Sequence, residues 1–148
     1  MKTLAINKRA SFDYTLLDKY EAGLVLFGHE VKSVKTGHLS LKGSFVTVHN
    51  GELMLTNAFI PPYKYAGELP HYDPTRPRTL LLKKSEIRSL IGKVRVNGLT
   101  LVPLSVYTKK RLLKLSFAVG KGKKDFDKRA DIGKKDAKRR IDRALKSA

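Results

Sequence analysis

Glu30 directly follows His29, and a carboxylate beside an imidazole is the pairing from which general acid–base catalysis is built. The pair stands at the head of a short predicted helix. A first-turn carboxylate there is favoured by the helix dipole, and that structural role is the simpler reading. The other histidines, His38, His49 and His71, share no spacing that would bring two of them onto one metal. The chain has no cysteine, which excludes a disulfide scaffold, a zinc ribbon and a thiol enzyme. Gly120-Lys121-Gly122-Lys123-Lys124 supplies glycines and ammonium groups. It lacks the Gly-x-x-x-x-Gly-Lys-Ser/Thr order, and the apolar helix behind it, that a phosphate-cradling loop needs. No catalytic residue, cofactor or metal is expected, so the chemistry that is left is that of cations.

Those cations are abundant. The chain has 148 residues with 31 Lys+Arg against 13 Asp+Glu, a formal charge of +18. So much like charge on one small surface is self-repulsive, and it points to a polyanionic partner: RNA, DNA or an anionic membrane. A membrane is the poorest match. No stretch approaches the roughly 18 uncharged apolar residues of a span, and the basic C-terminal segment has no aromatic anchor after Phe126. The opening MKTLAINKRA lacks the apolar run of a signal peptide, so a cytoplasmic location is expected.

Three groups are candidates for nucleic-acid contact. Asn7, Lys8 and Arg9 precede the first predicted strand; the competing reading is a frayed basic terminus. Lys32, Ser33 and Lys35 lie on the polar side of the short helix, where a merely solvated face is the alternative. Arg76 and Arg78 flank Pro77 in a stiffened loop that also carries Tyr63, Tyr65, His71 and Tyr72. Guanidinium forks suit phosphate oxygens, and tyrosine rings stack on unpaired bases.

The elements that must position these residues read as mostly β. Tyr14 to Phe27 is a strand, with a bulge or bend expected at Ala22-Gly23. Gly28 to Gly37 is a short helix, with Val31 and Val34 on one face and Gly37 at its end. Ser44–His49 and Glu52–Ala58 flank Asn50-Gly51, a strong hairpin signal because both turn residues need positive φ. Pro61 to Pro77 holds five of the six prolines and is a loop. Thr79–Leu82 is a strand. Ser85 is the expected N-cap of a helix bearing Ile87, Leu90, Ile91 and Val94. Leu99–Thr108 and Leu112–Val119 form the last strand pair, joined at Lys109, Lys110 and Arg111. About six antiparallel strands with an intervening helix predict an OB-fold-like closed Greek-key barrel, with two to three short helices.

A domain over 1–120 and a basic tail over 121–148 are expected, with Gly120 and Gly122 as the hinge. Residues 119–148 hold 12 Lys+Arg against 5 Asp. From Lys134 onward, Ala137, Ile141, Ala144 and Leu145 share one helical face, and Asp131, Asp136 and Asp142 each precede a base by four residues. A helix of that length is marginal alone in water, so the tail is expected to be disordered until it meets a polyanion.

Certain stretches resemble a known family in order and spacing. They are Asn7-Lys8-Arg9-Ala10, Asp13-Tyr14, Tyr20-Glu21-Ala22-Gly23-Leu24-Val25-Leu26, Glu30-Val31-Lys32-Ser33, Asp73-Pro74-Thr75-Arg76-Pro77-Arg78, Leu80-Leu81-Leu82, Ile91-Gly92-Lys93-Val94, Gly98 to Leu104, Gly120-Lys121-Gly122-Lys123 and Asp127-Lys128-Arg129. Together they resemble the SmpB family of SsrA-binding proteins. The resemblance implies an OB-fold barrel that holds the tRNA-like domain of transfer-messenger RNA. It further implies a tail that becomes helical in the ribosome's decoding region and mRNA channel, during trans-translation on stalled ribosomes. It places Glu30 and the short helix at the RNA face, with Asn7–Arg9 and Lys121, Gly122 and Lys123 nearby. Asp127, Lys128 and Arg129 would meet the decoding centre, with Lys134, Lys138, Arg139 and Arg140 further along the tail. A monomer with no enzymatic activity is expected; the alternative is a basic ribosomal or assembly protein bound to rRNA. Three positions depart from the family pattern: Phe12 and Lys83 stand where His is common, and Ala137 where Trp is common.

Overall fold

The structure is a computed structural model and describes residues 1–123. In chain order the elements are β1 (Lys2–Ile6), α1 (Ala10–Asp13), β2 (Tyr14–Leu24), α2 (Gly28–Lys35), β3 (Phe45–His49), β4 (Glu52–Thr56), β5 (Arg78–Leu81), α3 (Lys84–Asn97), β6 (Thr100–Lys109) and β7 (Leu112–Gly122). The seven strands form one antiparallel sheet in the order β1-β6-β3-β4-β5-β2-β7, and β7 pairs again with β6. The pairings therefore run round in a ring of β6, β3, β4, β5, β2 and β7, with β1 added on the flank of β6.

Alternation in the sequence explains which way the strands face. In β7, Leu113, Leu115, Phe117 and Val119 are buried at successive second positions; in β4, Leu53 and Leu55 are. Leu80 of β5 and Leu101 and Val106 of β6 join them. From α3, Leu90 is fully buried and Ile87 and Val94 pack beside it, which is the face the 3- and 4-residue spacing predicts. Pro103 sits inside β6, where the register slips between Pro103 and Ser105, so its missing N–H falls at an irregularity.

The Asn50-Gly51 turn is as expected: φ is 49° and 75° at the two positions, and Phe45–His49 pair with Glu52–Thr56. Elsewhere the structure corrects the expectation. β1 and α1 have no counterpart in it. The slip in β2 lies between Leu16 and Lys19, not at Ala22-Gly23. Gly23 instead lies against β5, where a Cβ would come within 3.3 Å of the Leu81 side chain. Lys83 is the N-cap of α3 and makes no side-chain cap, so Ser85 lies in the first turn. Gly120 and Gly122 belong to β7, paired with Leu16 and Tyr14 of β2, so they are strand positions. The tail readings at Asp127, Lys128, Arg129, Lys134, Lys138, Arg139 and Arg140 lie outside the described residues. No helix among the described residues is long and apolar enough to cross a membrane.

Candidate nucleic-acid interface

Glu30 is the third residue of α2, and its side chain turns back into the molecule. Its Oε1 accepts the N–H of Phe27, the residue that caps the helix, at 2.9 Å, so the carboxylate satisfies one of the helix's orphan donors. Arg76 and Arg78 come from the extended segment entering β5. Residues two apart on an extended chain share a face, and both guanidiniums reach this one carboxylate. Arg78 donates to Oε2 through Nε at 3.0 Å and Nη2 at 2.6 Å. It also donates to the carbonyls of Ala58 at 2.6 Å and Pro74 at 2.9 Å. Arg76 pairs with Oε1 and lies over the Phe27 ring, 3.8 Å from its centroid. The Tyr72 hydroxyl lies 2.9 Å from Oε2 and 2.8 Å from the Ile60 carbonyl, and accepts from Arg78 at 3.0 Å.

Glu30 and Arg78 are both 0% exposed. Burial alone would push the Glu30 carboxyl up. The hydrogen bonds from Arg76, the Phe27 N–H, Arg78 and Tyr72 outweigh it and hold the group at about 2. Burial, together with the hydrogen bond and charge of Glu30, pushes the Tyr72 phenol up to about 12. The forks that were expected to reach outward for phosphate are therefore turned inward, because the nearest desolvated anion is Glu30. Ser33 is likewise buried, donating to the Pro61 carbonyl at 2.9 Å. This leaves Lys32 and Lys35 as the exposed cations of α2, with the Lys32 ammonium 5.8 Å from the centre of the Tyr63 ring.

Asn7, Lys8 and Arg9 and the Lys121–Lys123 segment, from opposite ends of the described chain, meet at α1. Asn7 is fastened to β6: its N–H donates to the Leu104 carbonyl at 2.7 Å and its Nδ2 to the Pro103 carbonyl at 2.8 Å. Arg9 pairs with Asp13 at 3.3 Å and lies over the Phe12 ring, while Lys8 is exposed. From β7, Lys121 and Gly122 register with Thr15 and Tyr14. The Lys123 N–H donates to the Asp13 carbonyl at 3.0 Å, and its Nζ to the Ser11 carbonyl at 2.8 Å. Beside this corner opens a cleft of about 840 Å³, with Lys8, Arg9 and Lys42 among its polar lining and Leu41, Val102 and Pro103 among its apolar lining.

A third cluster was not foreseen. Glu21 of β2 accepts the Tyr107 hydroxyl and lies 3.4 Å from the Lys109 ammonium. The Tyr107 hydrogen bond, then Lys109, holds its carboxyl below the usual range against the opposing effect of burial. Burial and Glu21 push the Tyr107 phenol up to about 12. Lys110 and Arg111 form the adjoining turn with φ of 50° and 67°. The signal available in the sequence was the run of three bases between two strands; Glu21 lies 88 positions from Lys109 and gave none.

The family model described as "SmpB protein" matches residues 4–147. The chain belongs to the SmpB family. The SsrA-binding protein of Halothermothrix orenii is 51% identical over 146 residues, which covers 99% of this chain and 94% of that one. The SsrA-binding protein of Carboxydothermus hydrogenoformans is 47% identical over 146 residues, covering 99% and 97%. A solved structure described as "tmRNA-SmpB: a journey to the center of the bacterial ribosome" is 46% identical, with a TM-score of 0.65, covering 81% of this chain and 84% of that one. Much of what marks the sequence as SmpB is architecture: Asn7, Glu30, Ser33 and Arg78 all spend their polar atoms inside the fold. Asp73, by contrast, is exposed and orders its own turn, accepting the Thr75 N–H and hydroxyl at 2.9 and 3.0 Å, bonds that hold its carboxyl low.

Proposed function

We propose that this chain is a non-enzymatic RNA-binding protein that holds the tRNA-like domain of transfer-messenger RNA and brings it to stalled ribosomes for trans-translation. The observation that carries the reading is the SmpB family match over residues 4–147, on a chain whose charge of +18 needs a polyanion. Its relatives are named for SsrA binding, and the solved structure for tmRNA and the bacterial ribosome. The ring of strand pairings supports a closed OB-type barrel as the RNA-holding body.

Within this reading the proposed RNA contacts are Lys8, Arg9, Lys32, Lys35, Lys121 and Lys123. Asn7, Gly122, Glu30, Ser33, Arg76 and Arg78 hold them in place. Asp127, Lys128 and Arg129, with Lys134, Lys138, Arg139 and Arg140, are assigned to the decoding region and mRNA channel. A single copy acts on each RNA.

Affinity for a transcript of the tRNA-like domain, measured against salt, tests this. Log affinity should fall with log salt by about 0.7 to 0.9 for each phosphate neutralised. A chain ending at Lys123 should keep most of this binding and lose rescue of ribosomes stalled on truncated messages. Salt-independent binding, or full rescue by the shortened chain, contradicts the mechanism.

A further inference from the structure

Beside α2, the Pro-rich loop presents two tyrosines that the Glu30 network does not use. Tyr63 and Tyr65 meet edge to face, ring centres 5.6 Å apart and planes at 70°. Each carries a cation: the Lys32 ammonium is 5.8 Å from the Tyr63 centroid and the Lys64 ammonium 5.5 Å from that of Tyr65. Tyr65 is 74% exposed, a large amphipathic ring left in water with no core to fill.

The loop beneath them is fixed. Ser33 of α2 holds the Pro61 carbonyl at 2.9 Å, two residues before Tyr63. The Tyr63 carbonyl accepts the Ala66 N–H at 3.0 Å, closing the turn that contains both rings. The Tyr72 hydroxyl and the Ile60 N–H tie the loop's base to the body. By contrast Phe27 is capped by Arg76 at 3.8 Å, and Tyr72 is held edge-on by His29 at 4.6 Å. Tyr63 and Tyr65 are an aromatic pair of this face held on a hydrogen-bonded turn, Tyr63 half-buried and Tyr65 open to solvent.

We propose that Tyr63 and Tyr65, flanked by Lys32 and Lys64, form a stacking platform for unpaired bases of the RNA. The inference rests on the RNA-binding reading above and assigns it a contact of a different kind. Every base has a π-face, so a ring accepts any unpaired base, while a lysine beside it reaches the neighbouring phosphate. Duplex RNA keeps its bases stacked internally and offers the rings nothing. The buried Ser33 thereby becomes a positioning residue that links the lysines of α2 to the rings.

The test uses the full chain and a transcript of the tRNA-like domain. Because Tyr65 is so exposed, Tyr65→Ala should fold normally by circular dichroism. It should bind the transcript about 5- to 150-fold more weakly, the range for one base–aromatic stack, with the salt slope unchanged. Tyr65→Phe should bind like the parent, and Lys64→Ala should lower the slope instead. The chain has no tryptophan, so Tyr65→Trp gives a single reporter. Its emission should be quenched by a single-stranded oligouridine and not by a duplex of equal charge. Tyr65→Ala binding as tightly as the parent overturns the platform and leaves the RNA-binding reading standing. A parent chain that does not bind the transcript overturns both.

Discussion

One carboxylate holds together the half of the molecule that faces α2. Glu30 pairs with two guanidiniums that arrive from 46 and 48 positions away, and both it and Arg78 are out of water. Burying a pair of charges gains little net stability, but removing one partner strands the other. Glu30→Gln should therefore cost about 3–5 kcal/mol and lower the midpoint of thermal unfolding by on the order of 10 °C, read by circular dichroism. The pH dependence follows from the same site. With its folded pKa at about 2 and an unfolded value near 4.3, Glu30 binds fewer protons folded than unfolded. Its contribution, about 3 kcal/mol, is complete above pH ~4.3 and disappears as pH falls through ~2. The gap in urea midpoint between parent and Glu30→Gln should be wide at pH 5 and narrow steadily towards pH 2; a constant gap would mean that the carboxylate's charge is not what stabilises. Glu30 was visible in the sequence as a first-turn acid, but its partners were not. Arg76 and Arg78 look identical to phosphate-binding forks until the chain that carries them is folded onto α2.

At the scale of elements, what was legible is what is decided locally. Asn50-Gly51 specifies its own hairpin, and the spacing of Ile87, Leu90 and Val94 specifies the buried face of α3. β1 was illegible because its pairing with β6 joins residues about 100 apart, such as Lys2 and Thr108. The second hairpin is the informative case. Lys110 and Arg111 both take positive φ, where a residue with a Cβ is disfavoured by roughly 1 kcal/mol or more. Asn-Gly is the sequence such a turn prefers. Two cations are held there against local preference, exposed beside Lys109 and Glu21. Lys110→Asn with Arg111→Gly should raise stability by about 1 kcal/mol in denaturant titration. The same double variant should weaken RNA binding and flatten its salt slope. A destabilised variant would show that the two side chains make contacts that offset their backbone cost.

For the molecule as a whole, the charge was legible from composition, and a closed arrangement of strands was expected from their number and the intervening helix, but the pairings that complete the ring were not. The ring of pairings depends on β7 reaching back to β2, where Tyr14 registers with Gly122, and no local pattern announces a contact of that span. The surplus of cations then has a consequence for folding itself. Most of the described lysines and arginines lie on the surface, where their repulsion is screened at physiological salt. The Glu30 pairs are buried and feel salt much less. Raising salt from about 10 to 200 mM should therefore stabilise the free protein, by roughly 1 kcal/mol or about 4 °C in midpoint. Over the same interval RNA affinity should fall by orders of magnitude. A ligand that binds only the folded state adds stability that grows with its concentration relative to its Kd. The RNA-bound protein should accordingly be most stable at low salt, where the free protein is least stable. Differential scanning fluorimetry across a salt series, with and without the tRNA-like domain, should give two curves of opposite slope that converge at high salt. Parallel curves would mean that the surface charge is neither what repels in the free chain nor what holds the RNA.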